Sequence, residues 1–277
     1  MGFFNSHHLS AALVAALSVL FVCAGARGDR IEFRKVERGV VDSRLDARKS
    51  DVAERRETLK QLFIQAGCDG ENLTDQEVKG SDLANIVCTL PGKTGSTIIV
   101  GANFDLKAPS QGAVNNWSGA ALLPSLYEGI NKTERNHTFV FVGFTDKESG
   151  RKGSKAFAKE ADRKQVKAMI NLESLGLDST KAWAEDSNKE LSGLLAGVGQ
   201  AVKLPVNGMT VAAMGQGDGE SFASRGIKTM TIHSINGENL DARQPKNDRL
   251  EAINREAYYN TYSLTLAYLA FLDLKLE

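Results

Sequence analysis

Histidine is scarce in this chain: four occur in 277 residues, and two of them, His7 and His8, stand in the first ten. A centre needing several imidazoles has only His137 and His233 to draw on. Cysteine is rarer still, at three, and Cys23 lies in an apolar N-terminal stretch, which leaves Cys68 and Cys88. Charge of either sign is missing from the first 26 residues. Elsewhere 34 basic residues balance 34 acidic ones with no block of like sign, so nothing points to nucleic acid or a charged membrane surface. No repeat, low-complexity tract or Pro/Gly linker interrupts the chain beyond that stretch, and residues 27–277 read as one domain with a large core.

What the chain does have begins with residues 9–26, nearly all Ala, Leu, Val and Phe, with small residues at Ala24 and Ala26, or Ala26 and Gly28, spaced for cleavage. Residues 1–26 are therefore expected to be a signal peptide and the protein to be secreted. The n-region carries no Lys or Arg, and an apolar run of about 18 residues sits at the lower edge for spanning a bilayer, so an uncleaved anchor is the alternative. In an exported chain Cys68 and Cys88 read as one disulfide, closing a loop of about 20 residues worth roughly 3 kcal/mol; two buried thiols are the other reading. Of four N-x-S/T sequons, Asn72 and Asn131 lie in polar, loop-like sequence and are the glycosylation candidates. Asn136 is a third, and Asn116 falls inside a motif treated below and is expected to be buried.

Residues 45–66 are charged and amphipathic and predict one helix. Short β-branched runs follow at 84–90, 97–102, 137–144, 168–172, 209–213 and 229–233, with helical segments at 118–130, 154–161, 188–202, 218–224 and 249–274. Buried strands alternating with helices predict an α/β fold: a three-layer α/β/α arrangement around a central, mostly parallel mixed sheet. In such sheets the site lies at the carboxyl ends of the strands.

Those ends carry polar residues: Gly101 to Asp105, Asn115 to Gly119, Asp146 to Gly150, and Asn171 to Glu173. Converging amides and carboxylates suggest a polar pocket, while each taken alone reads equally as a helix cap, as with Asn115 and Asn116 ahead of a helix. Together, in this order, they resemble the M28 family of zinc aminopeptidases over most of the chain. The G-x-H-x-D motif is matched by Gly101 to Asp105, and D-x-x-S-G by Asn115 to Gly119. E-E-x-G-L-x-G-S is matched by Lys147 to Ser154, N-x-D by Asn171 to Glu173, and H-T-x-x-D by Gln244 to Asp248. The resemblance implies the zinc-exopeptidase fold.

It also implies a site, and the departures fall on it. The ligand His of the first motif is Asn103; the Asp that bridges both metals is Asn115; the general-base Glu is Lys147. The late ligand His falls on Gln244, or on Arg243 if the local alignment slips. Glu148 keeps its metal-ligand carboxylate, and Glu173 replaces the usual Asp. Asp105, which orients the ligand His in the family, and Asp248 are retained. Carboxamides are weak zinc ligands, and an ammonium beside two carboxylates opposes a cation. The expectation is that Lys147, helped by Arg243, takes over the electrostatic role of the lost metal.

No metal is expected at these altered ligand positions, and no catalytic base is intact. Asp146, the nearest other carboxylate, should point the other way from Lys147. His233 ends a strand and is a candidate ligand or a hydrogen-bonded core residue; His137, at the opposite end, is read as a surface or sequon residue. The first functional reading is a secreted, non-catalytic aminopeptidase-like protein that binds a peptide or protein, with Glu148 or Glu173 available to a free amino terminus. The alternative is an active zinc exopeptidase that releases N-terminal residues through a reduced site on Glu148, Glu173 and His233. Single-zinc glutaminyl cyclase-like chemistry on the same scaffold is not favoured by these residues.

Overall fold

The structure, a computed structural model, describes residues 22–24, 29–31, 33–185, 187–210 and 215–277. Val22–Ala24 (β1) pairs antiparallel with Asp29–Ile31 (β2) across the boundary expected for cleavage. The rest of the expected signal peptide lies outside the described residues. Among the described residues no helix is long and apolar enough to cross a membrane.

The predicted first helix is two. Arg38–Asp46 (α1) ends before a turn, and Val52–Gln65 (α2) starts afresh where the Asp51 carboxylate accepts the Glu54 N–H at 2.9 Å. The break serves Arg55, which is fully buried. Its guanidinium donates to the carbonyls of Lys49 at 2.7 Å, Gly112 at 3.0 Å and Phe104 at 3.4 Å, and also to Gln111. Burial pulls its pKa down to about 10, so the guanidinium stays charged while pinning the loop behind the site.

The remaining strands form one eight-stranded sheet. They are Leu73–Gln76 (β3), Asn85–Leu90 (β4), Thr97–Asn103 (β5), Thr138–Phe144 (β6), Val166–Leu172 (β7), Lys181–Trp183 (β8), Asn207–Met209 (β9) and Thr229–His233 (β10). Their order is β3-β4-β6-β5-β7-β10-β8-β9. The four central strands β6, β5, β7 and β10 run parallel, β4 and β8 join antiparallel at either flank, and β9 pairs parallel with β8. Sequence pattern missed β3 because it is half exposed and polar at Thr74, Asp75 and Gln76, and β8 because it is only three residues long. The strand expected at 209–213 ends at Met209, and residues 211–214 lie outside the described residues.

Residue alternation along the strands sorts two cores. Ile98 and Val100 of β5 and Ala168 and Ile170 of β7 face the larger core. That core lies under α1, α2, Leu123–Asn131 (α4), Lys189–Ala201 (α6) and Arg255–Lys275 (α8). Ile99, Val142, Phe144 and Met169 face a smaller one under Lys152–Glu160 (α5) and Glu220–Ala223 (α7). Helices thus cover both faces, as predicted. The closing helix starts later than its apolar pattern suggested, because the Asn254 side chain caps it by accepting from Glu256 and Ala257, both at 3.0 Å.

Cys68 and Cys88 form a disulfide that ties the end of α2 to β4. His137 is not a surface residue: it is 3% exposed, and its Nδ1 lies 3.2 Å from the Asp273 carbonyl. The Asp273 carboxylate also accepts the backbone N–H groups of Asn136 and His137, which buries the start of β6 against the end of α8. Asn72 and Asn131 are exposed; Asn116 is buried.

Candidate functional site

The chain crosses from one side of β5 to the other as it passes through β6 and then β7, so the sheet has its topological switch point beside β5. The segments that leave these three strands meet there. Asn103 closes β5, Lys147 and Glu148 follow β6, and Glu173 follows β7. Asn115 and Asn116 come from residues 113–117, ahead of the short helix Ser118–Ala120 (α3), and are joined by a cis peptide bond.

The motif residues around the centre knit these segments together. Asn116 Nδ2 donates to Asn103 Oδ1 at 3.0 Å and to the Leu172 carbonyl at 2.9 Å, while its Oδ1 accepts the Ser174 N–H at 2.9 Å. Ser118 Oγ donates to the Val114 carbonyl at 2.8 Å and accepts the Leu175 N–H at 2.9 Å. Gly119 follows because a Cβ there would come within 2.5 Å of the Leu172 carbonyl. Asp248 clamps the same segment, accepting from Val114 N at 2.6 Å, Asn115 N at 3.2 Å and Ser110 Oγ at 2.7 Å. Burial raises its pKa against those donors and Arg55.

At the centre stand two cations. Lys147 Nζ lies 3.3 Å from Glu148 Oε1, 3.3 Å from Glu173 Oε1 and 3.5 Å from Asn115 Oδ1. Arg243 reaches the same group, with Nη2 at 3.0 Å from Glu173 Oε1 and 3.2 Å from Asn115 Oδ1. The side chains of Glu173 and Lys147 are 1% and 8% exposed, that of Glu148 25%, so this is a buried ion cluster with one carboxylate at its mouth. Burial pushes the Glu173 pKa up, but Lys147 and Arg243 outweigh it and hold the carboxyl below its ordinary value. Burial likewise pulls Lys147 down, while Glu173 leads the carboxylates that leave it above its ordinary value in spite of Arg243. Both partners are therefore ionised at neutral pH.

Of the two residues offered for the late ligand position, Arg243 reaches the cluster from the turn Leu240–Arg243, while the Gln244 side chain is exposed. Asn103 is spent on its neighbours: Nδ2 donates to Asp105 Oδ1 at 2.9 Å, and Oδ1 takes the Asn116 amide. Asp105 accepts the Glu148 N–H at 3.1 Å, and burial raises its pKa. Asp146, with φ of 53°, turns away to pair with Lys152 at 3.4 Å. His233 is fully buried with both ring nitrogens engaged, Nδ1 accepting from Ile235 N at 3.1 Å and Nε2 facing the Met209 carbonyl at 3.3 Å. Burial lowers its pKa to about 4, so it is a neutral, hydrogen-bonded core histidine.

One carboxylate went unnoticed in the sequence. Asp218 is 1% exposed; Ser154 bonds its side chain, and its Oδ1 has no partner among the described residues. Burial raises its pKa to about 7. Ahead of a short helix it reads as an ordinary cap, and no signal in one sequence separates it from one. Gly217 beside it is required: a Cβ would lie 2.7 Å from Glu173 Oε2.

A zinc ion does not fit this donor set. Two of the resemblance's ligand positions offer carboxamides already hydrogen-bonded, the late one offers an arginine, and both remaining carboxylates are bound to cations. Among the described residues no group of three or more His, Cys, Asp or Glu could hold a metal.

Comparison with known proteins agrees with the order of the motifs. The profile of Peptidase family M28 matches residues 85–269. A probable leucine aminopeptidase of Arthroderma otae is 34% identical over 107 residues, 33% of this chain and 29% of that protein. One from Trichophyton verrucosum is 28% identical over 135 residues, 43% of this chain and 36% of that one. The chain thus matches about a third of the length of these relatives. Among solved structures, the LapA aminopeptidase of Legionella pneumophila superposes with a TM-score of 0.74 at 17% identity, covering 87% of this chain and 73% of that one. A glutaminyl cyclase from an Acidobacteriales bacterium superposes at 0.69 with 17% identity, covering 91% and 99%. BSAP, a zinc aminopeptidase from Bacillus subtilis, superposes at 0.63 with 16% identity over 70% and 52%. At these identities the superpositions speak for the fold.

Proposed function

This chain belongs to peptidase family M28, and we propose that within the family it is a secreted protein without peptidase chemistry that acts by binding. The observation that carries the reading is the pair of cations, Lys147 and Arg243, bonded to one oxygen of the buried Glu173 at 3.3 and 3.0 Å. A metallopeptidase needs a metal to polarise the scissile carbonyl and a carboxylate to take a proton from water. Here an ammonium held above its ordinary pKa stands where that carboxylate would be, so it has no lone pair to accept the proton. The apolar leader and the single disulfide support export.

The ligand in this reading is a peptide or protein met at the cleft beside β5. Glu173 is sealed, so an incoming amino terminus would have only Glu148 for a partner. A zinc site on Glu148, Glu173 and His233, the alternative, requires a free imidazole nitrogen, and both are engaged. The test is hydrolysis of leucine p-nitroanilide by the purified mature chain, with zinc and with a chelator. No turnover above the uncatalysed rate in either condition supports the reading. Turnover that a chelator abolishes and zinc restores refutes it.

A further inference from the structure

Beside the ion cluster opens a cavity of about 370 Å³, lined by Lys147, Glu148, Gly150, Arg151, Lys155, Gly215 and Gln216. Its charge is unbalanced: three cations face one carboxylate. Glu173 does not redress this, because it is buried behind the lining and shared with Arg243. Among the described residues Arg151 has only neutral acceptors, the Gly217 carbonyl at 3.3 Å and Gln216 Oε1 at 2.8 Å. Lys155 is exposed and has no ion-pair partner among the described residues.

Two of the basic residues are also badly placed for the helix they stand at. Arg151 is the N-cap of α5 and Lys155 lies one turn on, with no acidic residue in the first turn. Cations are disfavoured at that end of a helix. Such an arrangement is relieved by a negative charge supplied from outside.

We infer that this cavity is a binding site for an oxyanion, a carboxylate or a phosphate, held between Lys147, Arg151 and Lys155. The inference rests on the metal-free reading above and reverses the charge of the group expected at the cleft. With lysine at the position of the family's general-base carboxylate, cations outnumber carboxylates in the cavity lining, so the end of a peptide it suits is the carboxyl end. Free phosphate presents the same chemistry.

Isothermal titration of the zinc-free mature chain at low ionic strength separates these sources, with N-acetyl-leucyl-leucine, its C-terminal amide, inorganic phosphate and leucinamide as probes. The free carboxylate or phosphate is expected to saturate one site, weakened by salt, with no heat from the amide or leucinamide. Lys155→Gln, at an exposed position with no partner to lose, should weaken that binding by about 10-fold, and Arg151→Gln by at least as much. Saturation by phosphate alone assigns a free phosphate, and saturation by the dipeptide assigns a carboxylate. Absence of binding by both anions, preference for leucinamide, or binding untouched by Lys155→Gln overturns the inference. In a zinc-free sample any of those results leaves the loss of peptidase chemistry standing, whereas stoichiometric zinc would remove the premise itself.

Discussion

Lys147→Glu restores the carboxylate that the M28 pattern has at that position, and it should weaken the fold instead of rebuilding a site. Nζ lies 3.3 Å from each of Glu148 and Glu173, and the Glu173 side chain is 1% exposed. Unit charges about 4 Å apart interact by roughly 4 kcal/mol at an effective dielectric near 20, and the substitution turns attraction into repulsion at both carboxylates. Arg243 at 3.0 Å keeps one countercharge in place, and protonation of one carboxyl limits the damage. The expected net loss is roughly 3–5 kcal/mol, the cost of breaking a buried pair, out of the 5–15 kcal/mol of a typical domain. Lys147→Met removes the charge without adding one and should cost less. The pH dependence gives a second handle. Glu173 has a lowered pKa in the folded chain, so its contribution is present above about pH 4.3 and lost as pH falls. Lys147 has a raised one, so its contribution is present below about pH 10.4 and lost as pH rises through the folded value. Urea denaturation followed by circular dichroism at pH 7 measures both variants. A Lys147→Glu midpoint at or above that of the parent would refute the idea that this ammonium stands in for a metal.

The buried Asp218 should behave in the opposite sense. Its pKa is raised to about 7, so the folded chain holds a proton that the unfolded chain releases, and stability falls as pH rises from about 4 to 7. Asp218→Asn should therefore be more stable than the parent at pH 8 by up to a few kcal/mol and equal to it near pH 4, as thermal melts across that range will show. Exchanging Cys68 and Cys88 together for serine should cost roughly 3 kcal/mol, read as a drop in the urea midpoint that reductant imposes on the parent chain as well. Arg243→Gln should destabilise by about 2–4 kcal/mol because it strips a partner from buried Glu173, while Gln244→Ala, at an exposed side chain, should stay within about 0.5 kcal/mol.

The layers and the parallel centre were legible because β5, β6 and β7 are largely buried, mostly apolar strands of seven residues followed by segments that carry the family's motifs in order. β3 and β8 were not, since an edge strand half exposed to water and a three-residue strand carry no periodicity to detect. The single predicted helix at 45–66 divided because Asp51 caps a new start and Arg55 turns inward, and a charged residue on an amphipathic pattern reads as surface. In the site, the motif order is enough to gather Asn115, Lys147, Glu148 and Glu173 into one cluster, with Asn103 beside it through Asn116 and Asp105. Whether Arg243 or Gln244 faced them depends on where the short turn Leu240–Arg243 ends, which spacing alone leaves open. Asp218 and the basic lining at Arg151 and Lys155 arise from the loop at 215–219 folding back on α5, a tertiary contact with no local signature.

The account stands most directly on metal content. Elemental analysis of the mature protein, equilibrated with zinc and then desalted, should find negligible zinc in a sample that is folded by circular dichroism. Close to one or two zinc ions per chain would contradict it, because Lys147 and Arg243 could not then hold the positions assigned to them.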